Sequence, residues 1–136
     1  MNPFLRVAII AIGLLVLFVI FGPQLGEGYS WRHSSVQNTA HQLATALTAY
    51  HTEYGTYPDA TDGELIKVLS GQNPKQIIFL ETAPKQLDSS GRLIDAWGSP
   101  YRIAIPARGA KVKVWSIGPN KTDDQGREDS DDIGNW

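Results

Sequence analysis

The amino-acid sequence predicts an α+β protein in which a long N-terminal helix packs on a small antiparallel β-sheet. Three observations predict this class. An uncharged apolar run covers residues 7–22, apolar residues at helical spacing follow between residues 34 and 55, and alternating apolar residues near residues 101–114 indicate two strands. Because the helix signals precede the strand signals, we expect the amphipathic half of the helix to cover one face of the sheet.

The first element is the run VAIIAIGLLVLFVIFG at residues 7–22, which contains no charged or polar side chain. With Pro3, Phe4 and Leu5 before Arg6, the apolar stretch approaches about 20 residues, enough for a helix to span a hydrocarbon core while Arg6 reaches the headgroups. A cleaved signal peptide and a buried helix are the alternatives, but no A-x-A pattern follows the run. We therefore predict a transmembrane anchor helix in residues 1–28, with a head formed by residues 29–136 outside the cytoplasm.

The second element is an amphipathic helix of about 20 residues, whose apolar side chains recur at steps of three and four. Ser34 or Ser35 is its predicted N-cap, and Gly55 is its predicted end. The stripe that should face the core consists of Val36, Ala40, Leu43, Leu47, Tyr50 and Tyr54.

A short helix and a hairpin follow. The segment TDGELIKVLSG carries a capping box, in which Thr61 is followed three residues later by Glu64, and Gly71 ends it. Apolar side chains then alternate in residues 101–105 and again in residues 112–114, on either side of the turn PARG. This pattern predicts two antiparallel strands, with GRLID at residues 91–95 as a weaker third strand.

Composition and motifs exclude several classes of function. The net charge of −2 gives no overall basicity for nucleic-acid binding, and the absence of cysteine excludes disulfides and thiolate metal sites. The three histidines lie eight or ten residues apart, too far to share one turn of a helix. No nucleophile motif and no glycine-rich phosphate loop is present. We expect no enzymatic activity and no small-molecule substrate.

An acidic loop precedes the C-terminal tail. Residues 123–132 contain six carboxylates and one arginine, and the segment IGNW follows them. The loop is either a solvated turn or a site for Ca²⁺, which takes six to eight oxygen ligands from flexible loops. An EF-hand does not fit, because its required glycine at Gly126 would put Lys121 at the first ligand position. A calcium site would have to close between the end of the last strand and the tail.

Four motifs, in this order, resemble the major pseudopilin of type II secretion systems, the GspG family. They are LTAYHTEYGTYP at residues 47–58, DAWGSPYRI at 95–103, WSIGPN at 115–120 and DDIGNW at 131–136. The resemblance implies a pilin-like fold, with a periplasmic head on a single-pass helix in the inner membrane. It further implies that the protein polymerises with like subunits through this helix, contacts other secretion-system components, and binds a structural Ca²⁺ near the C-terminus.

The resemblance also implies a ligand set for the Ca²⁺. The family usually has Asp where this chain has Asn120, and the loop after Asn120 is a few residues longer here. Asp123, Asp124 or Asp129 could therefore replace a family ligand. The positions that match the family's site are the carbonyl of Ile117, the side chain of Asn120, a contact at Thr122, the side chains of Asp131 and Asp132, and the carbonyl of Ile133.

The N-terminus departs from the family pattern. Family members have a leader that ends in Gly, is cut before a Phe that becomes methylated, and is followed by a Glu at the fifth mature position. Here Phe4 follows Pro3, and Ala8 stands at the place of that Glu. Such a carboxylate pairs with the amine of a neighbouring subunit inside the bilayer. Two alternatives therefore stay open: a membrane-anchored protein that does not polymerise, and a type IV pilus subunit.

Overall fold

The computed structural model describes residues 30–59, 62–107 and 110–136. The predicted anchor in residues 1–28 and the capping residue Thr61 lie outside these ranges. The chain divides into two compact units, Met1–Ser34 and Ser35–Trp136, and the second contains the hydrophobic core. None of the helices within the described ranges is long and apolar enough to cross a membrane.

Helix α1 covers residues 30–54 of the described chain. Its predicted stripe is confirmed, because Val36, Ala40, Leu43 and Leu47 are at most 2% exposed and both tyrosines are half-buried. The predicted N-cap is wrong: the chain is already helical at residue 30, so Ser34 and Ser35 lie inside the helix. The predicted end is confirmed, since Gly55 has a φ of +76° and donates its N–H to the carbonyl of His51 at 2.8 Å.

Helix α1 carries a series of threonines outside its buried stripe. Each hydroxyl donates to the backbone carbonyl four residues earlier, at distances from 2.8 to 3.0 Å. Hydrogen bonds of this kind satisfy the hydroxyl within the helix itself. The side chains concerned are Thr39, Thr45, Thr48 and Thr52.

Helix α2, Asp62–Leu69, buries Leu65, Ile66 and Leu69 on the same core. Past its end, Gly71 has a φ of +113°, as expected for the predicted stop. The segment that follows is fastened to α1 through Asn73, whose Oδ1 accepts the hydroxyl proton of Tyr54 at 2.7 Å. A short 3₁₀ turn, Pro84–Gln86, then leads towards the sheet.

The sheet has three antiparallel strands in the described chain: β1, Arg102–Ala104; β2, Lys113–Ser116; and β3, Ile133–Gly134. Their order is β1-β2-β3, with Ile103 opposite Val114 and Ser116 opposite Ile133. The predicted hairpin is confirmed. The third strand comes from the C-terminal tail, which places the end of the acidic loop directly beside the end of β2.

The prediction of a strand at GRLID is wrong. Within residues 91–95 the structure has only two isolated bridges, Leu87 to Leu93 and Ile94 to Pro100. The carboxylate of Asp88 accepts the backbone N–H groups of Ser90 and Arg92, both at 2.9 Å. Hydrogen bonds from a side chain to the local backbone compete with a regular ladder and turn the chain instead.

The core lies between α1, α2 and the sheet. Its sheet side is formed by Val112 and Val114, which are 4% and 0% exposed, with Leu93 beside them. The Tyr101 hydroxyl crosses this layer and donates to the carbonyl of Val36 in α1 at 3.2 Å. Burial raises the pKa of Tyr101, so this hydroxyl stays protonated and remains a donor.

Candidate cation site at the acidic loop

The site forms where β2 ends and β3 begins. After Ser116 the chain turns at Gly118, whose φ of +68° favours glycine. A Cβ at this position would overlap the carbonyl oxygen of Asp131 and lie 2.9 Å from its Oδ2. The missing side chain therefore allows the turn after β2 to lie directly against the end of the acidic loop.

Three carboxylates converge at this point. Asp124, Asp131 and Asp132 each offer an oxygen, and these oxygens lie within 4.8 Å of one another. Asp124 and Asp131 are half-buried, whereas Asp132 is buried. Oxygen ligands grouped in a loop are the donor set that hard divalent cations such as Ca²⁺ take.

Asp132 is the least solvated of the three, with 6% exposure. Its Oδ2 accepts the backbone N–H of Gly126 at 2.9 Å. Its Oδ1 is buried and accepts no hydrogen bond from the residues that the structure describes. Burial raises the pKa of Asp132, and the charges of Asp123 and Asp124 act in the same direction. A buried carboxylate oxygen without a partner, beside two further carboxylates, fits a bound cation.

The other loop carboxylates are engaged elsewhere. Asp123 accepts the indole N–H of Trp115 at 3.1 Å and lies 3.3 Å from the guanidinium of Arg102. Asp129 is 83% exposed and lies 3.5 Å from Arg127, which also lies 3.6 Å from Asp124. Of the three residues named as replacements for a family ligand, the structure thus brings Asp124 to Asp131 and Asp132.

Asn120 contacts Asp131 through its donors. Its Nδ2 donates to Asp131 Oδ1 at 2.5 Å, and its backbone N–H donates to Oδ2 at 3.3 Å. Its side-chain oxygen accepts the backbone N–H of Thr122 at 2.6 Å. Asn120 therefore holds Asp131 in place, while Thr122 closes the turn.

The remaining two predicted positions, Ile117 and Ile133, are buried at 8% and 3% exposure on either side of the closure. Their side chains are apolar, so they could contribute only their backbone carbonyls. The ligand set of six residues stays a prediction. Asp124 is not one of these six residues, because its contact with the tail depends on how the long loop closes.

The tail is held on the domain by packing and by its own polar groups. The Asn135 side chain accepts the N–H of Val114 and donates to the carbonyl of Val112, both at 2.8 Å. A Cβ at Gly134 would overlap the Trp136 ring, and one at Gly126 would lie 3.3 Å from that ring. The Trp136 ring therefore packs against Gly126 and Gly134, and the tail is not a frayed end.

Comparisons with known proteins show the family of the chain. The family described as "Type II secretion system (T2SS), protein G" matches residues 28–136, which include all four motifs of the resemblance. The chain is similar to the "Type II secretion system core protein G" of Dickeya chrysanthemi, with 25% identity over 97% of this chain and 81% of that protein. The protein of the same name from Pectobacterium carotovorum subsp. carotovorum is 26% identical over 97% of this chain and 80% of its own length.

A solved structure has the same fold. It is the crystal structure of the major pseudopilin from the type 2 secretion system of enterohaemorrhagic Escherichia coli, with 24% identity and a TM-score of 0.50. The match covers 82% of this chain and 88% of that chain. The family match over most of the chain confirms the resemblance, and the protein belongs to the type II secretion system protein G family.

Proposed function

We propose that this protein is a structural subunit of a type II secretion pseudopilus and that it polymerises with like subunits through its N-terminal helix. Membership of the protein G family and the fold shared with a major pseudopilin support this role. The work of such a subunit is mechanical, since a filament transmits force through packed helices and rigid heads. The proposal therefore assigns the chain no catalytic chemistry.

The proposed location is the inner membrane, with the head in the periplasm. The uncharged run at residues 7–22 has the length of a single transmembrane helix, and a short segment with Arg6 precedes it. The partners in this setting are like subunits, the membrane and other components of the secretion system.

The head, in this proposal, is stabilised by one Ca²⁺ at the acidic loop. The observation that carries this part is the buried Oδ1 of Asp132, which lacks a hydrogen-bond partner among the described residues. Asp124, Asp131 and Asp132 would hold the ion, joined by oxygens of Asn120 and Thr122 and by the carbonyls of Ile117 and Ile133. The ion would add to the positive charge of Arg127, which lies 3.6 Å from Asp124, and it would join the turn after β2 to the tail.

A calcium titration tests the cation site. The full chain, purified in detergent, is melted in excess chelator and in millimolar Ca²⁺, and the total fluorescence of its four tryptophans, which include Trp115 and Trp136, is followed at the same time. We expect a higher Tm with Ca²⁺ and a fluorescence change, because both indoles pack against Gly126 of the loop. Mg²⁺ at the same concentration should have a smaller effect, since it requires a tight octahedral shell. An unchanged Tm would rule out the cation site.

A second candidate function is a membrane-anchored protein with the same head that does not polymerise. The observation in its favour is the N-terminus, where Pro3 precedes Phe4 and Ala8 replaces the membrane carboxylate expected for the family. Mass spectrometry of the mature N-terminus separates the two. An N-methylated Phe4 supports the filament subunit, and an unprocessed Met1 supports the anchored protein.

Assembly itself can be tested directly because the chain has no cysteine. Single cysteines placed along residues 7–22 report whether helices of neighbouring subunits lie side by side. Because each subunit then has one thiol and can form one disulfide, cross-linked dimers after mild oxidation are expected for a filament. Monomers at every position would contradict polymerisation.

A further inference from the structure

A buried carboxylate and a buried hydroxyl pair behind the acidic loop. Asp95 is 7% exposed and Ser116 is fully buried. The Ser116 hydroxyl donates to Asp95 Oδ2 at 2.5 Å, and Asp95 Oδ1 accepts the backbone N–H groups of Trp97 and Ser99 at 2.9 and 2.8 Å. A buried carboxylate that accepts three hydrogen bonds is well satisfied, so Asp95 and Ser116 hold each other in one position.

The pair continues to the turn after β2. The oxygen of Ser116 accepts the backbone N–H of Gly118 at 3.0 Å. The Cα of Gly118 in turn lies against Asp131, where a side chain would not fit. A single line of contacts therefore runs from the carboxylate of Asp95, through one hydroxyl, to the backbone of the acidic loop.

Ser116 also acts on the other side of the closure. It is the last residue of β2 and pairs with Ile133, which directly follows Asp132. One residue thus sets the position of the Gly118 turn, which contacts Asp131, and of the strand that carries Asp132. A residue with this placement can determine the spacing of two carboxylates without contacting the ion.

From these contacts we infer that Asp95 and Ser116 are positioning residues of the proposed cation site. They hold the Gly118 turn against Asp131, so that the carboxylates are already spaced for the ion before it binds. This inference rests on the proposed cation site. A site that is ordered in advance binds more tightly, because binding does not have to order the loop.

The test compares Ca²⁺ affinities of three variants of the full chain in detergent, by isothermal titration calorimetry at a temperature where all are folded. Ser116→Ala removes the hydroxyl and leaves the Gly118 N–H without its acceptor, and we expect the Kd to rise about tenfold or more. In Asp95→Asn the amide oxygen keeps both backbone donors, but the amide nitrogen cannot accept the Ser116 hydroxyl proton, so the bond that fixes this hydroxyl is lost. We expect its Kd to rise in the same direction, by about threefold or more.

Leu69→Ala is the matched control for a loss of stability. Leu69 is fully buried in α2 and belongs to the core rather than to the loop closure. It should lower the Tm substantially but leave the Kd within about twofold. If Ser116→Ala does not fold, Ser116→Cys provides the same comparison, because a thiol is a weak donor and a weak acceptor of nearly the same size.

Each outcome decides a different statement. A raised Kd in Ser116→Ala and in Asp95→Asn, with an unchanged Kd in Leu69→Ala, supports the positioning role. An unchanged Kd in Asp95→Asn overturns the role of Asp95. Wild-type binding with the same Kd in Ser116→Ala and Ser116→Cys overturns the positioning role and leaves the cation site intact. Absence of saturable binding in the wild type overturns the cation site, and the positioning role with it.

Discussion

Replacing Asp132 by Asn removes the charge of a side chain that is 6% exposed while keeping its shape. In chelator, the new amide oxygen can accept the Gly126 N–H, and the amide nitrogen takes the place of the unpaired Oδ1. An oxygen of the Asp132 carboxylate lies within 4.8 Å of oxygens of Asp124 and Asp131, which are the nearby acceptors for the new amide. We therefore expect Asp132→Asn to stabilise the cation-free protein.

The size of this gain follows from the unpaired oxygen. A buried polar group without a partner costs about 1–3 kcal/mol, so relief of about 1–2 kcal/mol is expected. For a head of this size that corresponds to a rise in Tm of about 5–10 °C.

The pH dependence of the gain follows from the raised pKa of Asp132, which burial causes. Because the folded-state pKa lies above the ordinary value of 3.8, the wild type loses stability as pH rises through the folded pKa. The Tm advantage of Asp132→Asn should accordingly shrink as pH is lowered towards 3.8.

With Ca²⁺ the sign reverses. At a Ca²⁺ concentration of 100 times the Kd, binding stabilises the wild type by about 2.7 kcal/mol, and a variant with a Kd about 100-fold higher keeps only about 0.4 kcal/mol. The Ca²⁺-induced rise in Tm should therefore fall from about 10 °C or more to about 2 °C.

Thermal melting by circular dichroism, in chelator and in Ca²⁺, measures both effects. Asp129→Asn is the matched control, because this carboxylate is 83% exposed and should change neither value. An Asp132→Asn variant with the full wild-type response to Ca²⁺, or with a lower Tm in chelator, would refute the reasoning.

Three further predictions concern the fold. Gly118→Ala should lower the free energy of unfolding by about 3 kcal/mol or more in a urea titration, because its Cβ overlaps Asp131. Gly55→Ala, also at positive φ but with open space around it, should lower it by about 1–2 kcal/mol. Equal losses in the two variants would contradict the overlap. As pH falls from 4.5 to 2.5, Asp88→Asn should lose less stability than the wild type. The Arg92 backbone N–H is the largest cause that lowers the pKa of Asp88, so the stabilisation from the Asp88 carboxylate is present above pH 3.8 and disappears as pH falls through the folded pKa. Urea midpoints that fall in parallel for the two proteins would contradict this. Leu47→Ala, in the core at 0% exposure, should lose about 2–5 kcal/mol by the same titration, and a loss below about 1 kcal/mol would place Leu47 outside the core.

The sequence was a good guide to the fold where the signal is periodic. The stripe in α1 and the alternation on either side of the PARG turn depend on burial alone, and both are found in the structure. Local signals were less reliable. Ser34 and Ser35 look like an N-cap, but capping depends on whether the preceding residues are helical. At Leu93 and Ile94 an apolar pair lies in a segment that the Asp88 carboxylate turns.

Two features of the site depend on contacts between distant residues. Strand β3 has only two residues, Ile133 and Gly134, too few for any alternation to reveal. Asp124 meets Asp131 and Asp132 only because the loop closes on itself, and residue spacing does not determine that closure. The family resemblance supplied Asp131 and Asp132, whereas the relation of Asp95 to the loop could be found only in three dimensions.

Three threonines on the outer side of α1, Thr45, Thr48 and Thr52, affect how that surface responds when water leaves it. A free hydroxyl loses hydrogen bonds with water on dehydration, at a cost of about 1–3 kcal/mol if no partner replaces them. Here each hydroxyl already donates its hydrogen bond to a backbone carbonyl of its own helix, as Thr45 and Thr48 illustrate. The solvation penalty for covering this side of α1 is therefore closer to that of an alanine surface than the three polar side chains suggest.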